Sequence, residues 1–173
     1  MEDFSFEKTS RKHHNLILDW LDKEHVRKFW YGDGLLVTIS DLEKHMSKKQ
    51  SRFNHWIAYI NNVPFAYLLT SEVEEDSKKP DDLLLKYKIP GSKAITLDLL
   101  IGAEEYLGKG LSKSLILFFL EKKFPLINEV FIDPELNNSR AIHVYEKTGF
   151  KKLEKFTPVW NPVPHLLMKL NLN

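Results

Sequence analysis

The 173-residue sequence contains no cysteine. That absence excludes a disulfide framework, a thiolate nucleophile and a cysteine-based zinc site, and it accords with a reducing, cytoplasmic setting. An excess of either charge is also missing, since 25 Lys and Arg stand against 24 Asp and Glu. The balance gives no global signature of nucleic-acid or membrane binding, so charge-based recognition must be local. No apolar run of signal-peptide or membrane-spanning length occurs in the first thirty residues, which predicts a soluble, unprocessed chain. There is no internal repeat or low-complexity tract, and the length suits one domain over residues 1–173. The seven histidines show no metal-ligand spacing: His13 and His14 are neighbours that point in different directions on a helix, and no His-Glu-x-x-His occurs. No metal site is expected. His143 and the scattered lysine clusters read as solvated surface.

What is present is a change of pattern along the chain. "FSFEK" alternates as a short strand, and "HNLILDWLDKEHVRKFW" spaces Leu16, Trp20, Leu21 and Phe29 as one or two helices would. Ser40 with Glu43 three residues later reads as a capping box that opens another helix. "HWIAYINNVPFAYLLTSEV" is two apolar runs joined through Asn61 and Asn62, residues that tolerate positive φ, which predicts a hairpin. Residues 72–94 mix both charges with Pro80, Pro90 and Gly91 and read as a long loop.

From residue 95 strands and helices alternate: "ITLDLLIG", "GLSKSLILFFLEKKF", "EVFID" and "SRAIHVYEKTG" form a β-α-β-α unit. Parallel pairing of residues 95–102 with 129–133 follows. Two closing strands, "FKKLEKF" and "HLLMKLNL", flank a proline-rich loop.

The turn "LGKGL" lies between strand and helix, where backbone N–H groups and the helix N-terminus favour an anion such as phosphate. It fails as a P-loop because Gly102 is one residue too far from Gly108 and Gly110 stands where a hydroxyl residue is needed. It fails as a dinucleotide fingerprint because Ser112, Lys113 and Ser114 occupy the place of the third glycine. On the turn alone, a simple chain reversal is the default.

Together with "DPELNNSRAIHVYEKTGF", however, "LDLLIGAEEYLGKGL" resembles the GNAT family of acetyl-CoA-dependent N-acetyltransferases. Asn138, Ala141, Tyr145, Gly149 and Phe150 match its "N-x-x-A-x-x-x-Y-x-x-x-G-F" helix. Within that family the chain is most similar to aminoglycoside 6'-N-acetyltransferases, and the likeness extends to "DWLDKEHVRKFW" and "WIAYINNVPFAY". The resemblance implies an α/β (α+β) fold: one mixed, mostly antiparallel sheet with a central, splayed parallel strand pair and helices on both faces. It implies acetyl-CoA as co-substrate, held by Leu99, Leu100, Ile101, Leu107, Gly108, Lys109, Gly110, Leu111, Ser112, Asn138, Ala141 and Tyr145. Glu105 departs from the family, which often has Gln or Arg there; a carboxylate would repel a pyrophosphate, so it is expected to point away.

Acyl transfer to an amine needs the amine uncharged, so a base or anchor is required. Asp98 interrupts an apolar strand on the face opposite Ile95, Leu97, Leu99 and Ile101. A solvated edge position is its bland reading; the resemblance implies a substrate-facing carboxylate that accepts the amine's proton. Asp133 is either a turn carboxylate or, by the same resemblance, a second anchor for a cationic substrate. Tyr145 lies on an apolar stripe, and its motif position implies a hydroxyl that serves the departing thiolate. Asn138 caps its helix or also contacts the donor. Trp30 and Trp56 fall where the aminoglycoside enzymes place aromatics against sugar rings, with core packing the competing reading.

The acceptor expected is a small cationic amine, most simply the 6'-amine of an aminoglycoside. A siderophore N-hydroxylysine or a protein amine is the enzyme alternative, and a degenerate acetyl-CoA-binding module the non-enzyme one. The chain is expected to act as a monomer or homodimer.

Overall fold

The structure, a computed structural model, describes residues 3–75 and 83–172. Seven strands form one mixed sheet in the order β1-β2-β3-β4-β5-β7-β6. The strands are β1 (Phe4–Lys8), β2 (Asn54–Ile60), β3 (Val63–Glu72), β4 (Ala94–Ile101), β5 (Glu129–Ile132), β6 (Lys151–Phe156) and β7 (His165–Asn171). Among the described residues six α-helices accompany them: α1 (His14–Asp22), α2 (Glu24–Arg27), α3 (Gly32–Met46), α4 (Leu83–Tyr87), α5 (Leu111–Lys123) and α6 (Ser139–Thr148). Among the described residues no helix is long and apolar enough to cross a membrane.

The expected hairpin is β2–β3, with Asn61 and Asn62 both at positive φ. The expected β-α-β-α unit is β4–α5–β5–α6, and β4 pairs with β5 in parallel. Their register covers only Ala94 with Glu129 through Thr96 with Phe131, while β4 continues to Ile101. Beyond Thr96 the two strands therefore part, and backbone N–H and C=O groups on that side of β4 have no strand partner.

The alternation of β4 divides the core between the two faces of the sheet. Ile95 and Leu97 pack with Leu115, Ile116 and Phe119 of α5 and Ile142 of α6. On the other face Leu100 joins Ile57, Tyr67 and Leu69 beneath Ile17, Trp20 and Leu42 of α1 and α3. Burial of that many large apolar side chains, each about 1.5–3 kcal/mol, supplies the drive that holds helices to both faces.

Two expectations are corrected. Ser40 does not open a helix but lies inside α3, which starts eight residues earlier at Gly32. The buried series Leu35, Thr38, Leu42 and Met46 holds that helix down at three- and four-residue spacing, so tertiary burial overrides a local capping signal. The loop after β3 also contains a short helix, α4, whose Leu83, Leu84, Leu85 and Tyr87 pack on Val73, Phe131 and Leu167. Its proline at position 80 lies outside the described residues.

Candidate functional site

The glycine turn follows β4 through a short 3-10 turn at Glu104–Tyr106. Gly108 and Gly110 both take φ of 74°, and Gly110 is the N-cap of α5 in the left-handed conformation. A side chain at either position would be strained, so glycine is what lets the backbone turn sharply into the helix. The free N–H groups of the first turn of α5 then open on this loop. Leu111 is buried in the core, so only its backbone is available there. Ser112 is half-buried, and Lys109 stacks its ammonium on Tyr106 at 5.3 Å. Arg140 brings its guanidinium close enough to meet a Cβ at Gly108 at 3.5 Å, adding a cation that the spacing had not revealed. Glu105 is exposed. An open groove of about 600 Å³ between α2 and this turn is bounded by Glu24, His25, Arg27, Lys28, Glu104 and Leu107, so that it carries both charges.

Asn138 caps α6 by accepting from the Ala141 N–H at 3.2 Å, which leaves its amide NH₂ free of that task. One α-helical turn on, Tyr145 is buried against Phe150. Burial first, and then the fields of Asp98 and Asp133, push its phenol well above the ordinary value. Tyr145 packs with Ile95, Leu97 and the α5 side of the sheet, and both carboxylates are near enough for their charge to act on its hydroxyl.

Asp98 pairs in register with Leu69 and shares its face with Leu100, as the two-residue period requires. Burial first, and Asp133 second, raise its pKa to about 7, against the opposing fields of Arg52 and His165. Among the described residues no N–H donates to the Asp98 carboxylate. Its charge is thus poorly supported by the protein and open to a cation or a proton.

Asp133 ends β5 beside His165, the first residue of β7. The segments are tied by Leu136 N–H to the Pro164 carbonyl at 2.8 Å and Leu166 N–H to the Pro134 carbonyl at 2.9 Å. His165 Nδ1 donates to the Asp133 carbonyl at 2.7 Å and lies 3.4 Å from Asp133 Oδ2. Burial pulls the His165 pKa down, but its bonds to Asp133 and the charges of Asp133 and Glu135 outweigh that and raise it. Asn161 Nδ2 donates to Glu135 Oε1 at 3.1 Å and lies 3.3 Å from His165 Nε2. Tyr31 joins the same group through Glu135 and Asn161.

The two expected aromatics fall differently. Trp30 lies on the α3 side with its indole N–H bonded to Thr38 Oγ1 at 3.0 Å, among the partly buried residues of that core. Trp56 is buried on the opposite face from Asp98, edge-on to Phe119 and Phe124, with its N–H on Thr70 Oγ1. The strand period puts it under α5, so the structure does not bring it to the carboxylates. Leu99 and Leu100 likewise point their side chains into the two opposite cores, and Ile101 into that of Leu99. Any role they have toward a donor belongs to their backbone.

Sequence reading had missed His165, Glu135, Asn161, Tyr31 and Arg140. His165 begins a recognisable strand, but nothing local ties it to Asp133. Among the described residues no group of His, Asp and Glu could hold a metal ion.

A family model described as an acetyltransferase (GNAT) domain matches residues 9–157. The chain is 28% identical over 157 residues to aminoglycoside N(6')-acetyltransferase type 1 of Klebsiella pneumoniae, covering 88% of this chain and 76% of that protein. Its structure is similar to the aminoglycoside N(6')-acetyltransferase of Legionella pneumophila, with a TM-score of 0.85 and 41% identity over 97% of this chain and 91% of that one. An aminoglycoside acetyltransferase solved with coenzyme A and kanamycin shares the fold at a TM-score of 0.73 and 22% identity, over 98% and 95% of the respective chains.

Proposed function

The chain belongs to the GNAT family and is an acetyl-CoA-dependent N-acetyltransferase, and from that premise we propose that its acceptor is the 6'-amine of an aminoglycoside. The observation that carries this reading is the position of Asp98 on β4 just beyond the last β4–β5 pair, with no N–H donating to it among the described residues, and of Asp133 directly after β5. Two close carboxylates with spare acceptor capacity suit an ammonium group better than a neutral or anionic acceptor. The Klebsiella and Legionella relatives carry the 6' designation in their names, and a more distant neighbour was solved with kanamycin, which supports the same acceptor class.

Acetyl-CoA supplies the activated acyl group. Gly108 to Ser112 present backbone N–H groups to its pyrophosphate, with Lys109 and Arg140 alongside; Asn138 and Ala141 flank the arm, and the Leu99–Ile101 backbone faces the thioester. Asp98 binds the acceptor ammonium and takes its proton, directly or through a water, so that the free amine can attack the thioester carbonyl within a ternary complex. Asp133 anchors the cationic acceptor beside it, and Trp30 borders the same side. A backbone N–H of the unpaired edge of β4 near Leu99 or Leu100 supports the developing oxyanion. As the carbon–sulfur bond breaks, the Tyr145 hydroxyl hydrogen-bonds the departing thiolate and relays to it the proton that the attacking nitrogen still carries, so that the phenol ends as it began. Its raised pKa keeps the phenol protonated at ordinary pH.

Release of free thiol from acetyl-CoA measures the reaction. Kanamycin A is expected to be acetylated, and an aminoglycoside with a hydroxyl in place of the 6'-amine is not. Equal turnover of the two would overturn the regiochemistry, and turnover confined to other amines in a panel would overturn the substrate class.

A further inference from the structure

The proline-rich loop between β6 and β7 carries an aromatic residue that the proposed chemistry leaves unused. Trp160 is 41% exposed, yet its ring is fixed on two sides. It stands edge-to-face on His165 with ring centroids 5.0 Å apart. Its six-membered ring also lies over Gly34 in the first turn of α3, where a Cβ would come within 3.3 Å of Cζ3 and 3.4 Å of Cε3. The next residue, Asn161, is buried; its amide bonds Glu135, and its Oδ1 accepts from the Val163 N–H at 3.0 Å. The loop is thereby held so that a half-exposed indole sits one side-chain layer beyond the Asp133 carboxylate, across His165.

An indole in that place combines an apolar face with a negative quadrupole, and the His165 ring it stands on is the one that meets Asp133. Such a surface suits a ligand with C–H faces and ammonium groups, as a chain of amino-sugar rings has. We propose that Trp160 is a specificity-determining residue that receives the second ring of a multi-ring amino sugar while the first ring presents its amine to Asp98. The proposal rests on the acceptor reading above and adds to it a requirement for more than one ring.

Steady-state kinetics on two acceptors with the same primary amine test it: kanamycin A, and a methyl 6-amino-6-deoxyglucoside that has only the first ring. Trp160→Ala is expected to lower kcat/KM for kanamycin A by about tenfold through KM, the size of one aromatic–cation contact. The single-ring acceptor should change far less, and Trp160→Phe should recover most of the loss. Gly34→Ala, which crowds the indole from behind, should reproduce the kanamycin effect in weaker form. Thermal melting and CoA titration confirm that each variant is folded and binds the donor. Equal loss on both acceptors, or no loss on either, overturns the role of Trp160 while leaving the acceptor reading intact. Acetylation of neither acceptor by the unaltered protein overturns both.

Discussion

Two aspartate–histidine pairs lie on the same side of the sheet, and only one stands at the candidate site. Asp41 accepts from the backbone N–H groups of Arg52 at 2.7 Å and Phe53 at 3.0 Å, and from His55 Nε2 at 2.9 Å. His55 in turn accepts from the buried Tyr67 hydroxyl through Nδ1. Burial, partly opposed by Asp41, lowers the His55 pKa to about 4, so the ring is neutral and its hydrogen-bonding capacity is spent. The group ties α3 to β2 and β3.

Asp133 and His165 differ in how that capacity is used. His165 gives its Nδ1 proton to the Asp133 carbonyl and only approaches the carboxylate, which stays half-buried with room for another donor. Next to it Asp98 is held without a donor among the described residues. The lesson is that such a pair does not mark a site; unspent acceptor capacity at the open edge between β4 and β5 does.

That contrast can be broken experimentally. The largest effect is expected at Asp98: Asp98→Asn should lower turnover by about 10²–10⁴-fold, the range of a lost general base, with CoA affinity by titration unchanged. Parallel loss of both would make Asp98 a structural residue and erase the distinction.

Asp41→Ala should act on stability instead, costing about 2–5 kcal/mol in denaturant unfolding, because His55 and two N–H groups lose their acceptor in a buried place. Turnover per folded molecule should survive. A stable but inactive variant would reverse the assignment of the two pairs.

His165→Gln should be milder, raising KM for the amine several-fold while kcat and CoA binding change little, since it positions Asp133 without touching substrate. Rescue relative to His165→Ala would follow because Gln can still donate to the Asp133 carbonyl.

The pH dependences should also diverge. At the site, kcat/KM for the amine should rise with pH through about 7 as Asp98 ionises. Its raised pKa means the folded state holds a proton that the unfolded chain loses near 4, so Asp98 contributes stability at low pH that disappears as pH climbs through about 7. His55 works in the opposite sense. Its contribution is complete above about 6.5 and is lost as pH falls toward 4, because the unfolded ring takes up the proton first. Unfolding of Asp98→Asn across this range isolates the His55 component, and a curve unchanged from the unaltered protein would remove Asp98 as a titrating group.

The sequence by itself determined the segments to which donor binding is assigned in the proposal. The glycine turn, the Asn138-capped helix α6 and the β-α-β-α order are contiguous, and their conformation rests on positive φ and a cap, both set by local chemistry. It also placed Asp98 on its face, because a strand alternates. Tertiary structure alone decided the rest. It started α3 at Gly32, put Trp56 beneath α5, and assembled Asp98, Asp133, His165 and Trp160 from segments far apart in the chain. It also gave Asp41 and Asp98 opposite fates. A carboxylate's charge state and free valence depend on the donors and the loss of water around it, and those surroundings exist only once the chain has folded.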